Sequence, residues 1–390
     1  MAKEKEEDTT LLARSIVLPP GGRDGDTRAH YLNIVEGDGK GRQILIGNEP
    51  MEIGRSAPAH VVLPDPRVSR THCRVCLVMG EVIVLDLGSS NGTFIDGKKI
   101  EAGAPLAVGA RLQVGSHVLE HEYRNRKEVE ASQELDRDLD QAWHYIQSLL
   151  PPPLADGPIR SDWVLVPCAR LGGDAFGYRY LDASHFAFYL IDVSGHGTGA
   201  AMHAVSVINV LRQNILPAAD YLDPGKVLTT LNDMFRMETH GNLYFTVWYG
   251  VYDLAASTLA YASAGHHPAF IVEPARENAI PLRTPNAPIG VTERPSFKSA
   301  AAVVPPGSML YLFSDGVYEI VASDGTNWGI EDFVKVMTQR PVAGMTESLR
   351  LLQAVRELAR NPSLDDDFSL MAFNFADATR SPESTWTGRS

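Results

Sequence analysis

Four aspartates stand where a carboxylate is hardest to justify: Asp174 in LGGDAF, Asp192 in FYLIDVSGHG, Asp315 in LYLFSDGV and Asp366 in DDDFSLMAF, each at the edge of an apolar run. One Asp beside a Gly is ordinary turn chemistry, and Asp253 and Asp324 keep that reading. Four such acids at the ends of adjacent central strands would converge and repel unless a cation neutralised them. Oxygen-only ligands favour Mg2+ or Mn2+, whereas zinc would bring imidazole or thiolate with it. The glycines beside the acids would let backbone carbonyls and a bulky phosphoryl group come close.

Other candidate motifs are weaker. HCRVC places Cys73 and Cys76 beside His72, but on a strand residues three apart face opposite ways, and no second ligand pair follows. Half-buried thiols in a strand are expected instead. GDGKG at 37–41 lies between two strands with no helix after it, so it is expected to be a hairpin turn rather than a nucleotide loop. His196 and His266, in SGHG and AGHHP beside His267, are expected to brace loops.

The elements that must position these residues follow from the pattern. Residues 1–28 are polar and expected to be flexible. Short alternating runs over 29–121 (YLNIV, RQILI, CRVCLV, VIVLDL) predict a small all-β domain. Residues 122–158 predict a helical linker ended by PPPLADGP. Leu135, Leu139, Ala142, Ile146 and Leu149 form an apolar seam that suits either packing on its own domain or a homodimer through the 127–150 helix. From 159 to 376 strands and helices mix, predicting an α+β domain, and 377–390 is expected to fray.

The 390 residues carry a net charge of −13. That argues against nucleic acid, which requires a basic surface. No apolar stretch or leader suggests a membrane, so the cytoplasm is the expected location.

The motifs LGGDAF…DVSGHGTGAAM, YASAGHHPAF, LYLFSDGVYE and DDDFSLMAF, in this order over 144–376, resemble the SpoIIE/RsbU-type branch of the PP2C-like (PPM) serine/threonine phosphatases. The resemblance implies a central antiparallel β-sandwich flanked by helices, with two Mn2+ or Mg2+ ions at one end. Asp192 would bridge both ions and Asp174 would bind one. Asp315, Asp366 and the Val193 carbonyl would complete the set, and the ions would activate water to attack phosphorus. The substrate implied is a phosphoserine or phosphothreonine protein such as an anti-sigma-factor antagonist. Gly177 departs from the branch, where a second aspartate usually follows three positions after the first. An inactive phosphatase-like adaptor that only binds phosphoproteins is the rival reading.

MEIGRSAP, VSRTHCRV and DLGSSNGTFIDG resemble the forkhead-associated (FHA) domain. That likeness implies a β-sandwich whose loops bind a phosphothreonine-containing protein. Arg55, Ser69 and Arg70 would meet the phosphate, and Ser90 and Asn91 the peptide backbone. Gly54, His72 and Gly92 would shape the loops, and Arg67 would be a solvated charge. The ligand would be a kinase target or the chain's own tail, where Thr9 and Thr10 follow three acids.

Overall fold

The computed structural model describes residues 28–376 apart from 214, 218–219, 240–241, 294 and 361–363. Thr9, Thr10 and the 377–390 tail lie outside the described residues. The chain divides into two compact bodies, Met1–Asp136 and Arg137–Ser390.

The first body is a sandwich of two sheets. Its strands are β1 (Arg28–Glu36), β2 (Gln43–Ile46), β3 (Met51–Gly54), β4 (Val61–Val62), β5 (Cys73–Val78), β6 (Glu81–Asp86), β7 (Thr93–Ile95), β8 (Lys98–Lys99), β9 (Gly103–Pro105), β10 (Arg111–Val114) and β11 (His117–Asn125). One sheet runs β2-β1-β11-β10-β7-β8 and the other β4-β3-β5-β6-β9. Their inward residues alternate with outward ones. In β10, Leu112 and Val114 are buried while Arg111 and Gln113 are exposed, the period-two pattern of a half-buried strand. Cys73 is fully buried in this core, Cys76 is half-buried, and both are free. Residues 37–41 turn between β1 and β2 as expected.

One boundary differs from the sequence reading. Residues 122–125, expected as the start of the linker helix, close β11 by pairing with residues 28–31 of β1. The helix α1 (Arg126–Leu149) follows directly. In the second body its Leu139, Ala142, Trp143 and Ile146 pack on Leu171, Ala201 and Val205. Leu135, at the far end of the seam, is 59% exposed.

The second body has the layers α/β/β/α. It contains β12 (Ile159–Val166), β13 (Asp174–Tyr180), β14 (His185–Val193), α2 (Thr198–Arg212), α3 (Pro224–Met234), β15 (Phe245–Asp253), β16 (Thr258–Ala264), β17 (Ala269–Val272), β18 (Ala279–Leu282), β19 (Ala300–Val303), β20 (Met309–Phe313), α4 (Ile330–Met337), α5 (Glu347–Leu358) and β21 (Phe368–Phe375). The two antiparallel sheets run β13-β14-β15-β16-β19 and β12-β21-β20-β17-β18. Strand β14 is buried almost without alternation. Its even-numbered phenylalanines meet the facing sheet, with Phe188 stacked 5.0 Å from Phe373, while its other face lies under α2, and α3 covers the neighbouring β15 and β16; Val207, Leu211, Val227 and Leu231 of these helices are buried. On the other side, Phe333, Leu351 and Val355 of α4 and α5 pack against Phe313 and Phe368. Asp223 caps α3, accepting from the backbone N–H groups of Gly225 and Lys226, with Pro224 at the first turn.

Candidate metal centre and phosphopeptide face

The register of two neighbouring strands decides the site. In the β13–β14 ladder Asp174 lies directly opposite Asp192, a like-charge pairing that sheets ordinarily avoid. Beside them, in the facing sheet, β12, β20 and β21 end or begin at the same edge. Val166 pairs with Phe368, and Phe313 with Leu370. Cys168, Asp315, Asp366 and Asp367 are the residues just beyond those ends.

The result is a cleft of about 270 Å³ lined by Asp192, Val193, Asp315, Asp365 and Asp366, with Cys168, Ser194, Gly195, His196, Tyr244 and Thr246 completing the wall. Among the described residues, no lysine or arginine is in that wall. Asp174 lies behind it, 4% exposed, and its Oδ2 has no hydrogen-bond partner among the described residues. Burial, then the charges of Asp192 and Asp367, push its carboxyl well above the usual range, against the hydroxyls of Ser314 and Ser369. Asp192 is pushed up to about 7 by burial and then by Asp315, Asp366 and Asp367. Asp315 is pushed up to about 6 by burial and then by Asp366 and Glu319. An acid group this frustrated, open on one side and without a cationic side chain, fits hard divalent ions.

Within DDDFS the three aspartates separate by role. Asp366 is exposed to the cleft, whereas Asp367 is buried. Its carboxylate accepts from the N–H of Cys168 at 2.9 Å and of Gly173 at 2.7 Å, and its carbonyl accepts from the Ser314 hydroxyl at 2.9 Å. Sequence reasoning missed this brace and the place of Cys168 in the cleft. The glycines divide. A Cβ on Gly172 would come within 2.2 Å of the Asp367 carboxylate, so the bare backbone there admits a neighbouring chain segment, whereas Gly195 on the cleft wall has nothing within 4 Å of where a Cβ would lie. Gly177 is three residues from Asp174 and therefore on the opposite face of β13. A Cβ there would meet the Tyr189 hydroxyl at 2.3 Å, so this position looks away from the cleft.

Of the histidines, His196 is exposed on the cleft wall. His266 is buried and His267 half-buried, each with Nδ1 3.0 Å from a carbonyl oxygen of its own loop. Burial drives His266 down to about 4 and His267 well below its usual value. Both rings are neutral at neutral pH.

In the first body, the loops after β3, before β5 and after β6 meet at one end. A Cβ on Gly54 would lie 2.0 Å from the Arg70 carbonyl oxygen. The buried His72 ring accepts from the Ser69 N–H at Nδ1 and donates from Nε2 to the Gly92 carbonyl, which assigns the Nε2–H tautomer. The Ser69 hydroxyl accepts from the Ser90 N–H at 3.0 Å, which leaves its own proton to donate outward. Asn91 donates to the Arg67 carbonyl at 2.7 Å. Arg55 and Arg70 are exposed and in no ion pair among the described residues. Arg67, expected as a solvated charge, is 64% exposed in its side chain but lies 3.3 Å from Asp65.

The profile of stage II sporulation protein E (SpoIIE) matches residues 182–376, and that of the FHA domain matches residues 51–115. The chain belongs to the SpoIIE family. Phosphoserine phosphatase RsbP of Bacillus subtilis is 26% identical over 239 residues, which cover 60% of this chain and 57% of RsbP. FhaB of Mycolicibacterium smegmatis is 37% identical over 110 residues, covering 28% of this chain and 70% of FhaB. The solved SiaA-PP2C domain of Pseudomonas aeruginosa superimposes with a TM-score of 0.55 at 19% identity, covering 63% of this chain and 98% of that domain. The second body of this SpoIIE-family chain therefore has the PP2C-like fold, joined to an amino-terminal FHA domain. No helix among the described residues is long and apolar enough to cross a membrane.

Proposed function

We propose that this chain is a Mn2+- or Mg2+-dependent protein phosphatase, acting in the cytoplasm on phosphoserine or phosphothreonine of a small signalling protein such as an anti-sigma-factor antagonist. The directly opposed Asp174 and Asp192, with Asp315 and Asp366 in a cleft that no lysine or arginine among the described residues lines, carry the reading. Asp192, Asp315, Asp366 and the Val193 carbonyl would hold two ions from the cleft wall, with Asp174 behind. Bound there, the ions would lower the pKa of water to yield a nucleophile and offset charge on the phosphoryl oxygens.

The chain's own part is to hold these oxygens in place and keep competing nucleophiles silent. Asp367, tied to Cys168, Gly173 and Ser314, anchors the chain immediately after Asp366. Burial, then Asp367 and Asp366, push the Cys168 thiol up to about 12, so no protein thiolate attacks phosphorus. Neutral His266 and His267 add no charge to the cleft's surroundings.

The FHA domain would dock the enzyme on phosphothreonine partners. Arg55 and Arg70 would supply charge-assisted contacts and Ser69 a hydroxyl donor, with Ser90 and Asn91 meeting the peptide backbone.

Hydrolysis of an aryl phosphate and of a phosphoserine peptide, with and without Mn2+, tests the enzyme. Turnover must depend on the ion, and no turnover at any Mn2+ concentration sinks it in favour of a binding-only role. Arg55→Ala should weaken phosphothreonine-peptide binding in calorimetry and leave aryl-phosphate turnover unchanged.

A further inference from the structure

We propose that Cys168, Asp366 and Asp367 form a site for a thiophilic divalent ion, Zn2+ or Cd2+, which competes with the hard ions for Asp366. Sγ of Cys168 and one carboxylate oxygen each of Asp366 and Asp367 all lie within 4.8 Å of one another. The adjacency is built into the fold, because β12 and β21 pair antiparallel with Val166 opposite Phe368. Two residues after the one and one or two before the other, the three side chains share a strand-end corner. Asp367 is pre-oriented by the N–H groups of Cys168 and Gly173. A buried, incompletely hydrogen-bonded acid borders this corner, one residue after the Gly173 N–H that holds Asp367. Asp174, 4% exposed with an unpartnered Oδ2, has the Asp367 carboxylate among its charged neighbours.

The chemistry separates two classes of ion. Carboxylates and carbonyls suit Mg2+ and Mn2+, whereas a thiolate donor shifts preference sharply toward zinc and its heavier congener. Tetrahedral zinc takes sulfur at about 2.3 Å and carboxylate oxygen at about 2.0–2.2 Å. Exposed Asp366 and half-buried Cys168 have the freedom to close that distance. Binding forms one metal–sulfur and one or two metal–oxygen bonds and releases the thiol proton to solvent. The competition rests on Asp366 also serving the hard ions, as in the proposed phosphatase. The metal–sulfur bond does not depend on that.

The test uses the full-length, metal-free protein titrated with Cd2+ alone, read by the ultraviolet thiolate-to-cadmium charge-transfer band. The band should saturate at equimolar ion in the parent and in Cys76→Ser, where Cys73 stays sealed in the other body's core. It should vanish in both Cys168→Ser and Cys168→Ala, and its midpoint should rise at least about tenfold in Asp366→Asn. Excess Mn2+ should move the parent titration to higher Cd2+. A band that survives Cys168→Ser, or is absent from the parent, overturns the site. An intact band indifferent to Mn2+ overturns the competition, whatever the outcome of the phosphatase assay.

Discussion

Asp192 is the residue on which most converges. Its partner across the ladder is another acid, and burial, followed by the charges of Asp315, Asp366, Asp367 and Glu319, raises it to about 7. Asp192→Asn should therefore separate folding from function. Without metal it relieves repulsion, so its thermal midpoint should equal or exceed the parent's. With Mn2+ it should lose the parent's stabilisation and about a thousandfold in turnover, as expected when several kcal/mol of transition-state stabilisation go. A variant less stable than the parent without metal would remove the repulsion argument. His266 gives a pH signature. Its folded value of about 4 lies below the ordinary 6.5, so the unfolded chain binds the extra proton in between. Stability should fall as pH drops from about 6.5 toward 4, by about 3 kcal/mol from this ring. In Mn2+-loaded protein His266→Gln should flatten that slope in denaturant titrations, and an unchanged slope would refute it. At this scale the four acids were legible, because each interrupts an apolar run. The choice of Asp366 over Asp367 came from the resemblance and not from the residues themselves, since three consecutive aspartates carry no register. Strand pairing supplies it physically, leaving Asp366 exposed on the cleft and Asp367 buried.

The elements link distant segments to that cleft. Helix α1 packs through Leu139, Ala142 and Ile146 on Leu171 and Ala201. Leu171 lies three residues before Asp174, and Ala201 is in the first turns of α2, just beyond the cleft residues 194–196. A shift of the helix is thereby passed to both walls. Leu139→Asp, placing a charge in a half-buried contact, should cost about 1–3 kcal/mol. It should also lower turnover without removing any residue from the cleft. Mn2+-dependent aryl-phosphate kinetics check this, and parent-like turnover would show that the contact is only structural. The periodicity of 135–149 announced a helix with one apolar stripe but not its partner, because packing on a neighbouring domain and pairing with a second copy demand the same spacing. The helix start was misread because EYRN has no strand signature of its own. Pairing with β1 makes it the end of β11.

At the scale of the whole chain, two separate cores explain why the sequence divides so cleanly. One is built from β-alternating positions such as Leu112 and Val114, the other from continuous apolar strands shielded on both faces, such as β14. Alternation and continuity are visible in sequence, which is why both fold classes could be read there, whereas sheet order depends on long-range pairing and could not. Separate cores imply separate responses to ligands. In calorimetry Mn2+ should raise one unfolding transition and a phosphothreonine peptide the other. Ligand at a hundred times its dissociation constant contributes about 2.7 kcal/mol, or roughly 5–10 °C for a body the size of the PP2C-like domain. Arg55→Ala should erase the peptide's shift and leave the Mn2+ shift intact, while Asp192→Asn should do the reverse. A single transition raised by both ligands, with each variant blunting both shifts, would mean that the two bodies unfold as one cooperative unit.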